Sequence, residues 1–373
     1  MKIKSILKVL VSLILVLAVF VLLFGESLLF PKYEMTDSIE FAQSMGRGWN
    51  LANTLDACEK YSDKKAGLET ETMWGNPETT FELLSFVKES GFDTVRIPVT
   101  WAQHLRKGSK YTIDKKWLDR VNDVVDMALK LNLKVIINVH HDDAFWLITD
   151  EEHKAQSEEI LCRIWAQLSK RFAKYDENLI FETMNEPRVT GTDDEWQGNE
   201  ETREVVNYLN FAALETIRNS GGKNAERYVL IPTYAASGLD ENIDALKLPD
   251  DDRVIVSVHY YFSTAHQSEF KDAEYKWNIS QKKSLYKTFR RMFDTYVKNG
   301  YGVCKSEFGW TDRSNMENLA ANTEFYLDLA DRFGFSAIVW DNGITDGEDV
   351  HSFGIIDRNE LKAVYPEYLE AIV

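Results

Sequence analysis

Residues 179–188 read Leu179-Ile180-Phe181-Glu182-Thr183-Met184-Asn185-Glu186-Pro187-Arg188. A candidate strand, Leu179–Met184, runs straight into an amide, a carboxylate and a proline. Seven more short β-branched runs share its length: Gly48–Leu51, Thr94–Pro98, Lys134–Val139, Tyr228–Ile231, Val254–Val258, Gly302–Ser306 and Ala337–Trp340. Between them lie apolar residues at helical spacing, as in Trp117, Val121, Val124, Val125 and Ala128, in Ile160, Ile164, Leu168 and Phe172, and in Leu285, Phe289, Met292 and Tyr296. Strand then helix, repeated about eight times, predicts a parallel sheet with helical crossovers. Eight units suit a closed (β/α)8 barrel, an α/β fold, better than an open doubly wound sheet. No GxGxxG or P-loop follows the first strand, which disfavours a nucleotide site.

In barrel enzymes the active site forms where strands run into the loops that follow. The strand ends here carry Trp49-Asn50-Leu51-Ala52-Asn53, Arg96 before Pro98, His140-His141-Asp142-Asp143, Asn185-Glu186-Pro187, His259-Tyr260-Tyr261, Glu307-Phe308-Gly309-Trp310 and Trp340-Asp341-Asn342. Chance placement would scatter such groups over both ends of a barrel. Two carboxylates on opposite strands, the fourth and the seventh, are what glycoside hydrolysis needs. One protonates the leaving oxygen, and the other attacks the anomeric carbon or activates a water.

The segment 179–188 resembles the signature of glycoside hydrolase family 5, and the bacterial endoglucanase branch is similar. Gly48-Trp49-Asn50-Leu51-Ala52-Asn53-Thr54-Leu55-Asp56, Val95-Arg96-Ile97-Pro98-Val99-Thr100-Trp101 and Ser306-Glu307-Phe308-Gly309 match in the family's order. Ala52 stands where the branch usually has Gly, and Lys305 is an unusual charge in a barrel strand. The resemblance implies a retaining endo-β-1,4-glucanase acting on cellulose-type β-glucan, with no cofactor and no metal. A xyloglucanase, mixed-linkage glucanase or mannanase would use the same machinery. The resemblance also implies that Glu186 is the acid/base and Glu307 the nucleophile, and that Arg96, His140, Asn185, His259, Tyr261 and Trp340 line the cleaved sugar's subsite.

Each residue also has its own reading. Glu186 must hold a proton to donate it, which predicts a raised pKa. Arg96 shares a strand face with Thr94. It is expected to keep Glu307 ionised, with a structural pair to Glu182 as the alternative. Asn185 suits a bond to the sugar 2-hydroxyl, or else it only shapes the turn before Pro187. His140 suits a sugar hydroxyl or a carboxylate. His141 is either a substrate contact or loop packing, and strand alternation disfavours both histidines chelating one metal. His259 and Tyr261 share parity and can orient Glu307. Trp340 can stack under a pyranose ring, because the C–H faces of a sugar are apolar. Asn53 is a candidate contact to a distal sugar, and Trp74, Trp146 and Trp310 are candidate outer platforms. A sugar-binding barrel without catalysis remains the reading from a different class.

Composition narrows the partners. The 373 residues carry a net charge of −17, which argues against nucleic acid. The three cysteines, Cys58, Cys162 and Cys304, show no metal-ligand spacing and read as free thiols. Lys2, Lys4 and Lys8 precede an apolar run from Val9 to Phe24. With no Ala-x-Ala cleavage site after it, residues 1–30 read as an uncleaved signal anchor, with a cleaved signal peptide as the alternative. That expects an extracytoplasmic monomer, membrane-bound or secreted, which touches the membrane only through this segment. Residues 31–45 are expected to form a linker and lead-in, and 46–373 the catalytic domain.

Overall fold

The computed structural model describes residues 29–373 apart from 63, 107–109, 262–276, 312, 314 and 347–350. The expected anchor lies, up to residue 28, outside the described residues. Thr36–Val373 form one compact unit. Within it eight parallel strands close into a barrel in chain order. They are β1 Arg47–Leu51, β2 Thr94–Ile97, β3 Lys134–Asn138, β4 Leu179–Glu182, β5 Val229–Pro232, β6 Val254–Tyr261, β7 Gly302–Gly309 and β8 Phe335–Asp341. All eight expected strands are present, so the (β/α)8 reading holds.

Each crossover contains a helix. Lys115–Lys130 buries Trp117, Val121, Val124, Val125 and Ala128 on one face, as the spacing predicts. Side chains start the helices where backbone N–H groups lack partners. Asn199 and Asn278 each close a capping box, with Thr202 and Gln281 respectively.

The barrel interior is layered by strand parity. At the floor Ile136, Ile180, Leu230, Ile255, Cys304 and Ile338 meet Phe41, Ala42 and Met45 from the helix Asp37–Ser44 and its C-cap. That helix sits so close to β7 that a Cβ on Gly302 would lie 2.5 Å from the Ser38 carbonyl oxygen. Ser38 Oγ instead accepts the Gly302 N–H at 2.8 Å and donates to the Val254 carbonyl. The lead-in helix thus closes the floor, which leaves the opposite rim for chemistry.

β6 and β7 run further than the apolar pattern predicts, to Tyr261 and Gly309, because ladder bonds are made by the backbone and tolerate polar side chains. Their register shifts between Ser257↔Cys304 and His259↔Glu307, and a matching shift occurs against β8. The extra residue is in β7. A bulge of this kind re-aims side chains. Here it lets both Ser306 and Glu307 face the interior, where Ser306 Oγ lies 2.6 Å from Ser257 Oγ.

Candidate active site

Above the apolar floor lies a buried polar layer centred on Arg96. Its guanidinium donates to Glu182 Oε2 at 2.7 Å, Glu307 Oε1 at 2.7 Å, Asn50 Oδ1 at 2.9 Å and Asn185 Oδ1 at 2.6 Å. Both sequence readings of Arg96 therefore describe the same side chain. It is fully buried, as is Glu182, and a buried cation needs this many partners to offset its desolvation. Glu182 is held in turn by Ser257 Oγ and Asn138 Nδ2. Asn138, Glu182, Ser257 and Ser306 were not picked out as candidate site residues from the sequence. The available signal was a polar residue at inward parity inside an otherwise apolar strand.

Glu307 sits on this layer. Tyr261 Oη donates to its Oε2 at 2.6 Å. Burial and the Glu307 charge push the Tyr261 phenol well above its ordinary range, so it stays a donor. His259 bridges the two carboxylates: Nδ1 lies 2.8 Å from Glu186 Oε1 and 3.4 Å from Glu307 Oε2. One oxygen from each glutamate and the imidazole nitrogen all lie within 4.8 Å of one another.

The protonation of this pair differs from the sequence expectation. Burial acts to raise the Glu186 carboxyl, but the His259 hydrogen bond and the Arg188 guanidinium outweigh it and hold it below the usual carboxylate range. Glu307 is pushed up by burial and by the Glu186 charge, against His259 and Arg96. His259 is the stronger of these two partners, and Arg188 adds to it: the Arg188 Nη1 lies 3.0 Å from Glu186 Oε2 and 3.1 Å from Asp143 Oδ2. The two carboxylates titrate as a unit, and in the free site the cation nearest Glu186 favours its ionised form.

Around the pair the remaining predicted residues gather on one side. His140 Nδ1 faces Asn138 Nδ2 at 3.0 Å, and its ring lies parallel to Trp340 with centroids 5.7 Å apart. Burial drives His140 well below the ordinary histidine value, and burial brings His141 down to about 3, so both rings are neutral. The alternation expected to separate these two rings does not hold. The chain leaves extended geometry at His140 (φ −97°, ψ −91°), and the rings meet edge to face at 4.4 Å. His141 Nε2 reaches 3.8 Å from Asp56 Oδ2, and its ring lies 5.6 Å from Trp74. The oxygens of Asp56 already accept the Asn53 and Thr54 N–H groups. Asn53 takes a left-handed backbone (φ 56°), and its carbonyl accepts from Asn76.

Of the three outer tryptophans, Trp74 stays half-exposed beside this cluster. Trp146 is buried, with its indole N–H on Asp142. Trp310 is buried against Tyr326 and Tyr368. The last two are packing residues, not platforms.

The matching family description, covering residues 58–346, is Cellulase (glycosyl hydrolase family 5). The chain is 38% identical over 351 residues to the Cellulase/esterase CelE of Acetivibrio thermocellus, covering 94% of this chain and 42% of that protein. It thus spans less than half the length of that relative. A solved broad specificity endoglucanase from Clostridium acetobutylicum superposes with a TM-score of 0.84 at 38% identity, over 91% of this chain and 100% of the other. A xyloglucan-specific endo-β-1,4-glucanase from a metagenomic library, solved with cellotriose, gives a TM-score of 0.84 at 33% identity, over 90% and 98%.

Proposed function

The chain belongs to the cellulase family, glycosyl hydrolase family 5, and on that premise we propose that it is a retaining, endo-acting β-1,4-glucanase with Glu307 as nucleophile and Glu186 as acid and base. The observation that carries this reading is the meeting of two carboxylates at the rim, with oxygens within 4.8 Å of each other. Carboxyl groups of retaining pairs are about 5–5.5 Å apart, whereas those of inverting pairs stand about 6.5–9.5 Å apart to admit a water; two carboxylates that reach one imidazole nitrogen, at 2.8 and 3.4 Å, support the shorter spacing.

In the first step a Glu307 oxygen bonds to the anomeric carbon as the bond to the leaving oxygen breaks. Glu186 gives its proton to that oxygen. In the second step water attacks the anomeric carbon, its proton goes to Glu186, and the bond to Glu307 breaks. Arg96 and Tyr261 fix the nucleophile at one oxygen each, so attack needs no reorientation. Arg96 occupies the Asn185 carbonyl oxygen, which leaves that amide's NH2 to serve the sugar 2-hydroxyl. Trp340 supplies an apolar face for the ring.

The substrate is a β-1,4-glucan of cellulose type. Xyloglucan is the second reading, favoured by the likeness to a xyloglucan-specific structure. Hydrolysis of a cellulose derivative, xyloglucan, lichenan, mannan and xylan, side by side, ranks them. No reducing ends from any of the five would defeat the proposal. A 2-fluoro cellobioside with an activated leaving group should label Glu307, read by peptide mass. We also infer export on the N-terminal segment, from Lys2, Lys4, Lys8 and the apolar run after them. Membrane fractions holding full-length, externally protease-sensitive protein would support this, and cytoplasmic protein would refute it.

A further inference from the structure

One nitrogen of Arg188 is claimed by more acceptors than it has N–H groups. Its Nη1 lies 2.9 Å from the Glu186 carbonyl oxygen, 3.0 Å from Glu186 Oε2 and 3.1 Å from Asp143 Oδ2. The guanidinium is tethered at its other edge, where Nε lies 3.2 Å from Glu195 Oε1. Its charge is therefore divided between Glu186 and Asp143, and what one carboxylate gains the other loses. Asp143 is placed for this by its neighbour. It belongs to the turn His141–Ala144, entered through the backbone break at His140. Asp142 pins that turn: its carboxylate accepts the Trp101 N–H at 3.0 Å and the Trp146 indole N–H at 2.8 Å, and its carbonyl accepts from Phe145, Trp146 and Leu147. Adjacent aspartates thus divide the work. Asp142 fixes the loop, and the buried Asp143 carboxylate is turned to Arg188.

Resting on the reading of Glu186 as the acid, we propose that Asp143 is a positioning residue for the proton donor: it draws the Arg188 cation away from Glu186, so that Glu186 can hold the proton it must give. Without it the site works against that step, because His259 and Arg188 both favour ionised Glu186. Glu186 is faced by Arg188 on its own loop, by His141 and Asp143 after β3, by His259 and Tyr261 on β6 and by Glu307 on β7. Asp143 is faced by Arg188 and Glu186, by Lys60 after β1 and by the adjacent Asp142. Burial raises the Asp143 carboxyl, Arg188 opposes this, and the Glu186 charge adds to the rise. The last effect is mutual, so Asp143 acts on Glu186 twice, by sharing its cation and by repelling its charge. Both effects favour protonated Glu186. Asp143→Asn removes a negative charge and returns Arg188 to Glu186, and the proton should then leave Glu186 at lower pH.

The test reads pH profiles on two substrates. The leaving oxygen of cellotetraose needs a proton from the acid, whereas the fluoride of β-cellobiosyl fluoride needs little help. For Asp143→Asn, the basic limb of the kcat/KM profile on cellotetraose should move down by about one unit. At a pH on that limb the loss is then about tenfold, and on the fluoride it should be much smaller. Asp143→Ala, which leaves no amide to bond Arg188, should move the limb in the same direction. Asp143→Glu, which keeps the charge, should return it most of the way. A basic limb that stays in place or moves up in Asp143→Asn, or equal losses on both substrates, would overturn the proposal and leave Asp143 a structural partner of Arg188. Wild-type protein inactive on both substrates would instead refute the reading of Glu186 and Glu307 on which it rests.

Discussion

Replacing Lys305 with methionine should stabilise the protein below neutral pH. Lys305 is fully buried on β7, two residues before Glu307, with no carboxylate paired to its ammonium among the described residues. Nζ reaches the His259 carbonyl at 3.5 Å and the Met292 sulfur at 3.8 Å, and lies 5.6 Å from the ring centres of Tyr260 and Phe289. Burial lowers its pKa from 10.5 to about 7. The unfolded chain therefore binds this proton more tightly than the folded one, and stability rises with pH between those two values. The gap of about 3.5 units corresponds to an upper bound of about 5 kcal/mol. Below pH 7 the cost is fully present, because the ammonium is charged in both states. Above about 10.5 it is gone. Lys305→Met keeps the chain length and drops the charge, so urea unfolding at pH 6 should show it more stable by about 2–5 kcal/mol. That advantage should shrink as pH climbs through 7 to 10. A difference that stays constant across this range, or a variant less stable at pH 6, would refute the reasoning.

Other substitutions probe the site. Arg96→Met leaves Glu182 and Glu307 buried without their shared cation, and should cost about 3–5 kcal/mol of stability together with turnover; urea midpoints check it. Glu307→Gln should remove turnover while calorimetry still detects cello-oligosaccharide binding. Trp340→Ala should lower kcat/KM by about fivefold through a stacking loss of about 1 kcal/mol, with kcat affected less than KM.

The barrel was legible because its strands are apolar runs separated by amphipathic helices, and because polar groups cluster at one end of those runs. Parity placed Arg96 inward, and the structure puts it against Glu307. The limits were equally physical. A bulge in β7 that turns both Ser306 and Glu307 inward leaves no trace in an alternating pattern. Nor does the break at His140, which brings two adjacent rings together. The pKa expectation for Glu186 weighed burial and Glu307 but not the His259 hydrogen bond to Glu186 or Arg188, both of which depend on how the loops after the strands meet. Trp146 and Trp310 look like Trp340 in sequence, and only packing separates a platform from a core residue.

The central claim is that Glu307 bonds to the sugar, so the configuration at the cut end is kept through two inversions. Proton NMR of cellotetraose digestion, recorded before mutarotation, reads this directly. The account predicts that the β-anomer appears first at the new reducing end. The α-anomer appearing first would mean that water attacks in a single step, and would contradict it.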